Sequence, residues 1–132
     1  MIRAGEGAGI TGLVMTDNTV DIYNPKTIRS TMGSVFRIPF CHVPDLKAAV
    51  NEAKAAGISV YAAHLKGERS YDQPDYKPGC GIIIGNEGAG ITDRIAGAAT
   101  ELIKIPMKGQ VESLNAAVAA TVIMYEVARQ RR

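Results

Sequence analysis

An α/β domain with a parallel sheet and helices on both faces is what the sequence predicts. Short apolar runs alternate with helical patterns along the chain, Gly, Pro and Asp bound those runs, and one long near-terminal segment is apolar on every face. At 132 residues and 46% hydrophobic content the chain is one domain with enough apolar surface to build a core.

The predicted strands are Thr11 to Thr16, Ser34 to Phe40, Ile58 to His64, Cys80 to Gly85 and Glu101 to Pro106. Residues 1 to 6 leave no room for another. Asn24 to Met32 carries Pro25 at a helix start. The stretch from Pro44 to Gly57 puts Leu46, Ala49, Val50 and Ala53 on one stripe and closes on a glycine cap. Residues 67 to 79 form a polar loop, read as a surface connection or substrate lid. From Ser113 to Tyr125 no residue is charged. A helix with no polar face needs cover on both sides, so a homodimer through the helix from Ser113 to Arg129 is expected.

Composition narrows function little. A net charge of +2 neither implies nor excludes nucleic acid. Cys41 and Cys80 lack the spacing of a metal or disulfide site, and with no signal peptide or membrane-length apolar run the expected location is cytoplasmic. Lys26, Arg29, Arg37, Arg129, Arg131 and Arg132 are candidate RNA contacts, or equally a solvated surface, and Lys104 and Lys108 flank a turn described below.

Fourteen glycines are the compositional signal. Gly7, Gly9 and Gly12 spell the dinucleotide fingerprint, but the strand follows it rather than precedes it, which excludes nicotinamide cofactor binding there. The run IIIGNEGAGITD leads from a strand through Gly85, Gly88 and Gly90 into a helix that Thr92 or Asp93 caps, leaving main-chain amides free for a ligand. Glu87 lies in that turn among apolar neighbours, so it is expected to have an arginine or backbone donor as partner. A second strand-to-helix turn, IPMKGQVESLNAA, offers Ser113 as an N-cap and Asn115 one turn into the helix, where a buried amide must be hydrogen-bonded. Two such turns at carboxyl ends of strands form one crevice.

GNEGAGI at Gly85 to Ile91 followed by IPMKGQVESLNAAVAA at Ile105 to Ala120 resembles the second and third motifs of the SpoU, or TrmH, RNA ribose methyltransferases. IRAGEGAGITGLVMTD resembles the end of that family's first motif and aligns Arg3 with its arginine. The family's leading Asn and its strand would fall upstream of Met1, and Ala4, Gly5 stand where Thr, Ala is usual. The resemblance therefore describes a catalytic domain incomplete at its N-terminal side, lacking its first strand and any recognition domain.

That resemblance implies a SPOUT-like fold with a C-terminal trefoil knot, a homodimer, and methyl transfer from S-adenosyl-L-methionine to a ribose 2′-hydroxyl of tRNA or rRNA without a metal. By the same resemblance Arg3, Glu87, Ser113 and Asn115 are catalytic, while Gly85, Asn86, Gly90, Ile105, Met107 and Leu114 bind the cofactor. Guanidinium has no free lone pair at neutral pH, so phosphate binding and alkoxide stabilisation suit Arg3 better than a base role. The second reading is a non-catalytic RNA-binding or assembly module on the same fold.

Overall fold

The computed structural model describes all of residues 1–132, and every ladder in it is parallel. Strands β1 (Leu13–Thr16) and β2 (Phe40–Val43) pair with each other. A separate four-stranded sheet runs in the order β4 (Arg69–Ser70), β6 (Glu101–Lys104), β3 (Ser59–Ala63), β5 (Cys80–Ile83). The expected parallel pairing holds, in two sheets, with β1 and β5 each paired on one side only. Five α-helices cover them: α1 (Ile2–Ala8), α2 (Pro25–Ser30), α3 (Leu46–Ala55), α4 (Asp93–Ala98) and α5 (Ala116–Gln130). No helix is long and apolar enough to cross a membrane.

Strand β3 buries both of its faces, as a central parallel strand must. Val60 and Ala62 join Val50 and Ala98 of α3 and α4 on one side. Tyr61 faces the opposite way, into a cluster with Tyr76, Ile103 and Ile123 of α5. Helices therefore lie on both faces of the four-stranded sheet, as the alternation predicted. Around β1, a third cluster joins Met15, Ile22 and Val35.

Local chemistry explains the helix boundaries. Asn24 accepts from Lys26 N–H at 2.9 Å and Pro25 opens α2. Asp45 caps α3 by accepting from Lys47 N–H at 3.0 Å, and the same carboxylate accepts from both terminal guanidinium nitrogens, Nη1 and Nη2, of Arg94 from α4. Arg94 holds that carboxyl below its ordinary range. Thr92 caps α4.

Two segments depart from the sequence reading. Ser34 to Phe40 is not one strand: Ser34–Phe36 forms a 3₁₀ turn and the strand begins at Phe40. Val35 and Ile38 are both buried while Phe36 is 72% exposed, a spacing of three rather than two. Residues 2 to 8 form a helix although two of the seven are glycine, each unfavourable by about 1 kcal/mol relative to alanine. Packing overrides propensity there. A β-carbon on Gly5 would lie 2.6 Å from Ile10 Cδ1 and 3.5 Å from Met124 Sδ, and one on Gly7 would lie 2.8 Å from Tyr125 Oη, so α1 rests on α5 through its glycines.

The polar loop at 67 to 79 is a tied connection rather than a free lid. It contributes β4 to the sheet edge and buries Tyr76 completely. The side chain of Gln130 accepts from Tyr76 N–H at 2.9 Å and donates to Pro74 O at 3.1 Å, while Arg131 donates to Tyr76 O and Pro78 O at 2.8 and 2.7 Å. Burial pushes the Tyr76 phenol above its ordinary range, so it stays protonated. Gln130→Ala leaves a buried N–H and a carbonyl without partners, and a loss of about 1–3 kcal/mol in urea unfolding is expected.

Candidate functional site

Strands β5 and β6 flank β3 on its two sides, with Ala62 opposite Ile83 and Ala63 opposite Ile103. Gly85 and Ile105 each lie two residues beyond those partners, so both motif turns leave the same carboxyl edge. Two strand spacings separate their roots by about 10 Å, with the end of β3 between them. This is where ligands sit in open parallel sheets.

The first turn is a closed loop. Gly90 N–H donates to Asn86 O at 3.1 Å, and Ala89 N–H donates to Asn86 Oδ1 at 2.6 Å. Gly90 has φ 64°, in the left-handed region. A β-carbon on Gly85 would stand 2.5 Å from Gly90 C and 2.7 Å from Ile91 N, so only glycine lets the ends of the turn close. Asn86, Glu87, Gly88, Ala89 and Gly90 are all exposed.

Glu87 departs from expectation. It is exposed and makes neither a hydrogen bond nor an ion pair, because the turn lifts it into solvent instead of setting it among apolar side chains. In the second turn, Asn115 rather than Ser113 is the cap: Asn115 Oδ1 accepts from Ala117 N–H at 2.9 Å and Val118 N–H at 3.3 Å. Helix α5 therefore begins at Ala116, three residues later than the predicted start. Asn115 is exposed, and capping accounts for its place in an apolar helix. Ser113 is exposed with its hydroxyl unengaged, while Ile105, Met107 and Leu114 are half-buried.

Arg3 lies elsewhere in the chain's own contacts. It is exposed on α1, beside a small pocket of about 170 Å³ that includes Thr27, Ser30 and Thr31, and no hydrogen bond or ion pair joins it to either turn. Glu6, one turn further on the same helix face, accepts from the Ser34 hydroxyl and from the Arg37 guanidinium. Hydrogen bonding by Arg37, then by Ser34, holds the Glu6 carboxyl down to about 2.

Among the basic candidates, Arg37 is committed to Glu6, Arg129 to Glu126 and Arg131 to carbonyls of the tied loop. Lys26, Arg29 and Arg132 have no acidic partner. Cys41 and Cys80 are free thiols. Sequence reasoning missed His64, the residue directly after β3, whose Nδ1 accepts from Lys66 N–H at 3.1 Å. Its signal was positional: it follows the central strand, between the two motif turns.

A family model described as the SpoU rRNA Methylase family matches residues 1–125. The chain is 38% identical over 127 residues to the 23S rRNA (guanosine(2553)-2'-O)-methyltransferase RlmP of Bacillus subtilis, covering 96% of this chain and 51% of that one. It is 35% identical over 136 residues to a 23S rRNA (uridine(2479)-2'-O)-methyltransferase of Streptomyces viridochromogenes, covering 99% of this chain and 47% of the relative. The crystal structure of the SpoU methyltransferase AviRb from that organism, in complex with AdoMet, superposes with a TM-score of 0.88 at 36% identity, over 98% of this chain and 53% of its own. The chain spans about half the length of the curated relatives it matches.

Two outcomes follow from this geometry. Gly85→Ala forces the turn open, and a loss of about 1–3 kcal/mol in chemical denaturation is expected, with Gly109→Ala, where open space surrounds the backbone, near neutral. Glu6 has its folded-state value lowered from 4.5 to about 2. Its contribution is therefore present above pH 4.5 and lost as pH falls toward 2. Glu6→Gln is expected to flatten stability against pH across that window, read by thermal unfolding at several pH values.

Proposed function

Because the chain belongs to the SpoU rRNA methylase family, we propose that it is one SpoU-type domain over residues 1–132. Its reaction is methyl transfer from S-adenosyl-L-methionine to a ribose 2′-hydroxyl of RNA. The relatives' names favour rRNA over tRNA as the substrate. The observation that carries this reading is the pair of motif turns leaving one sheet edge on either side of β3.

The residues present suit that methyl donor. Gly85 and Gly90 leave the main chain of the first turn bare, with Asn86 holding the loop shut. Ile105, Met107 and Leu114 add half-buried apolar surface from the second turn. S-adenosylmethionine supplies a methyl group already activated on a sulfonium, so the protein's task is alignment and proton removal.

Four side chains take up that task. Asn115 spends its oxygen on the helix cap, and its amide N–H groups remain to orient the ribose hydroxyl together with Ser113 Oγ. Arg3, with no acidic partner in the chain, neutralises a substrate phosphate and stabilises the developing alkoxide. Glu87, exposed and unpaired, is free to orient Arg3 or the substrate in the assembled complex. The 2′-oxygen would take the methyl carbon as the carbon–sulfur pair stays on sulfur, and the hydroxyl proton would pass to solvent water at this exposed edge.

The reading extends to architecture and assembly. Strand β6 sits between β3 and β4, both of which precede it in the chain, an order that supports the trefoil knot. On α5, Val118 and Tyr125 are 48% and 47% exposed, and with Val122 between them they form a stripe at helical spacing that supports a homodimer. A cytoplasmic location accords with RNA as partner.

Titration calorimetry with S-adenosylmethionine tests the proposal, alongside transfer of labelled methyl to ribosomal RNA. Saturable binding is expected, weakened at least tenfold in Asn115→Ala and in Gly85→Ala. Asn115→Asp retains the cap, so donor binding that survives in it assigns the loss in Asn115→Ala to the helix start. A folded protein that neither binds the donor nor labels RNA sinks the reading.

A further inference from the structure

The chain has only two phenylalanines and five tyrosines, yet both phenylalanines and Tyr23 line one groove of about 390 Å³. That groove belongs to the β1–β2 half of the molecule, whereas the two motif turns leave the other sheet. Phe40 packs half-buried against the Met15, Ile22 and Val35 cluster, but the other two rings are not core. Phe36 is 72% exposed and Tyr23 62% exposed, while their neighbours Val35 and Ile22 are buried and anchor them. Turning inward at Val35 and Ile38, the 3₁₀ turn presents the Phe36 ring outward.

The rings are arrayed rather than scattered. Tyr23 and Phe40 meet edge to face with centroids 6.1 Å apart at 65°, and Phe40 meets His42 at 6.3 Å and 90°. Arg37 also lines the groove, and Glu6 fixes its guanidinium. Lys26 and Arg29 follow on α2, three and six residues after Tyr23, with no acidic partner, and Asp21 accepts from Tyr23 N–H. Exposed flat rings, a fixed planar cation and adjoining free positive charge are what an unstacked nucleobase on a single-stranded phosphate backbone requires.

The geometry points to this groove as a docking site for a base of single-stranded RNA, with Phe36 and Tyr23 as the stacking faces and Lys26 and Arg29 along the backbone. The inference rests on the methyltransferase reading for its RNA and adds a contact remote from the donor crevice. A site there holds the strand while the ribose to be modified lies at the other sheet.

Fluorescence anisotropy of a labelled single-stranded oligoribonucleotide of about twelve nucleotides tests it, on the chain itself and on Phe36→Ala, Tyr23→Ala and Phe36→Tyr. Calorimetry with S-adenosylmethionine and sedimentation are run on the same samples. Binding weakened about tenfold in each alanine variant and restored by Phe36→Tyr is expected, with donor binding and sedimentation unchanged. Equal RNA binding in parent and alanine variants overturns the groove while the methyltransferase reading stands, as does a parent that binds the donor but not the oligonucleotide. A parent that binds neither overturns both. A change of sedimentation in the alanine variants makes the groove a contact between copies and overturns the RNA assignment.

Discussion

The structure depends on the placing of β6 between β3 and β4. Those two strands are joined by only five residues, 64 to 68, which must pass the site that β6 occupies. The crossing is tight: a β-carbon on Gly67 would lie 2.7 Å from Ile103 C in β6, so the connection runs bare backbone against the strand. Once β6 is seated, β3 has hydrogen-bonded neighbours on both sides and both of its faces are covered, which fixes Val60, Tyr61 and Ala62 in the core at once. The same insertion sets the distance between the two motif turns. If β6 paired at the free side of β5, its turn would leave beside Gly85 and the gap past His64 would vanish.

The two ends of α5 serve different purposes. At its start, Asn115 turns the chain from the second motif into the helix through two side-chain hydrogen bonds. At its end, Gln130 and Arg131 bind the loop that carries β4, the outer neighbour of β6, while Glu126 accepts from Gln130 on the same helix. Glu126 is nearly buried, yet Arg129 and Gln130 hold its carboxyl below the ordinary range despite the opposing effect of burial. Both partners lie on α5 itself, and Gln130, which also bonds Tyr76 N–H and Pro74 O, links that carboxylate to the loop.

What was legible in the sequence is what depends on short-range pattern. The apolar run at 58 to 64, the proline start of α2 and the stripe of α3 all appear where periodicity and capping put them. Misreadings fall where a distant partner decides. Ser34 to Phe40 looks like a strand until Glu6, nearly thirty residues earlier, takes Ser34 and Arg37 on one side of a 3₁₀ turn. The glycines of α1 look like a flexible opening until α5, more than a hundred residues later, requires the close approach. Ser113 and Asn115 are both good caps by type, and local preference alone does not choose between them. Glu87 looks set among apolar residues because its sequence neighbours are small, whereas a five-residue turn carries all of them into solvent.

The proposed division of labour between the two sheets rests on charge and shape together. The carboxyl edge of the four-stranded sheet offers bare amides, small residues and half-buried aliphatic surface, which suits a compact donor held largely by main chain. The β1–β2 half offers exposed rings and unpaired cations, which suit a flexible polyanion. Arg3 stands on the side of the second surface, one turn from Glu6 on the helix that also packs against α5. In the proposed reaction its role is to bind phosphate, which needs no proton to leave the guanidinium. Under the proposed reading a net charge of +2 is sufficient, since a few free cations serve the strand while Arg37, Arg69, Arg94 and Arg129 are paired inside the fold.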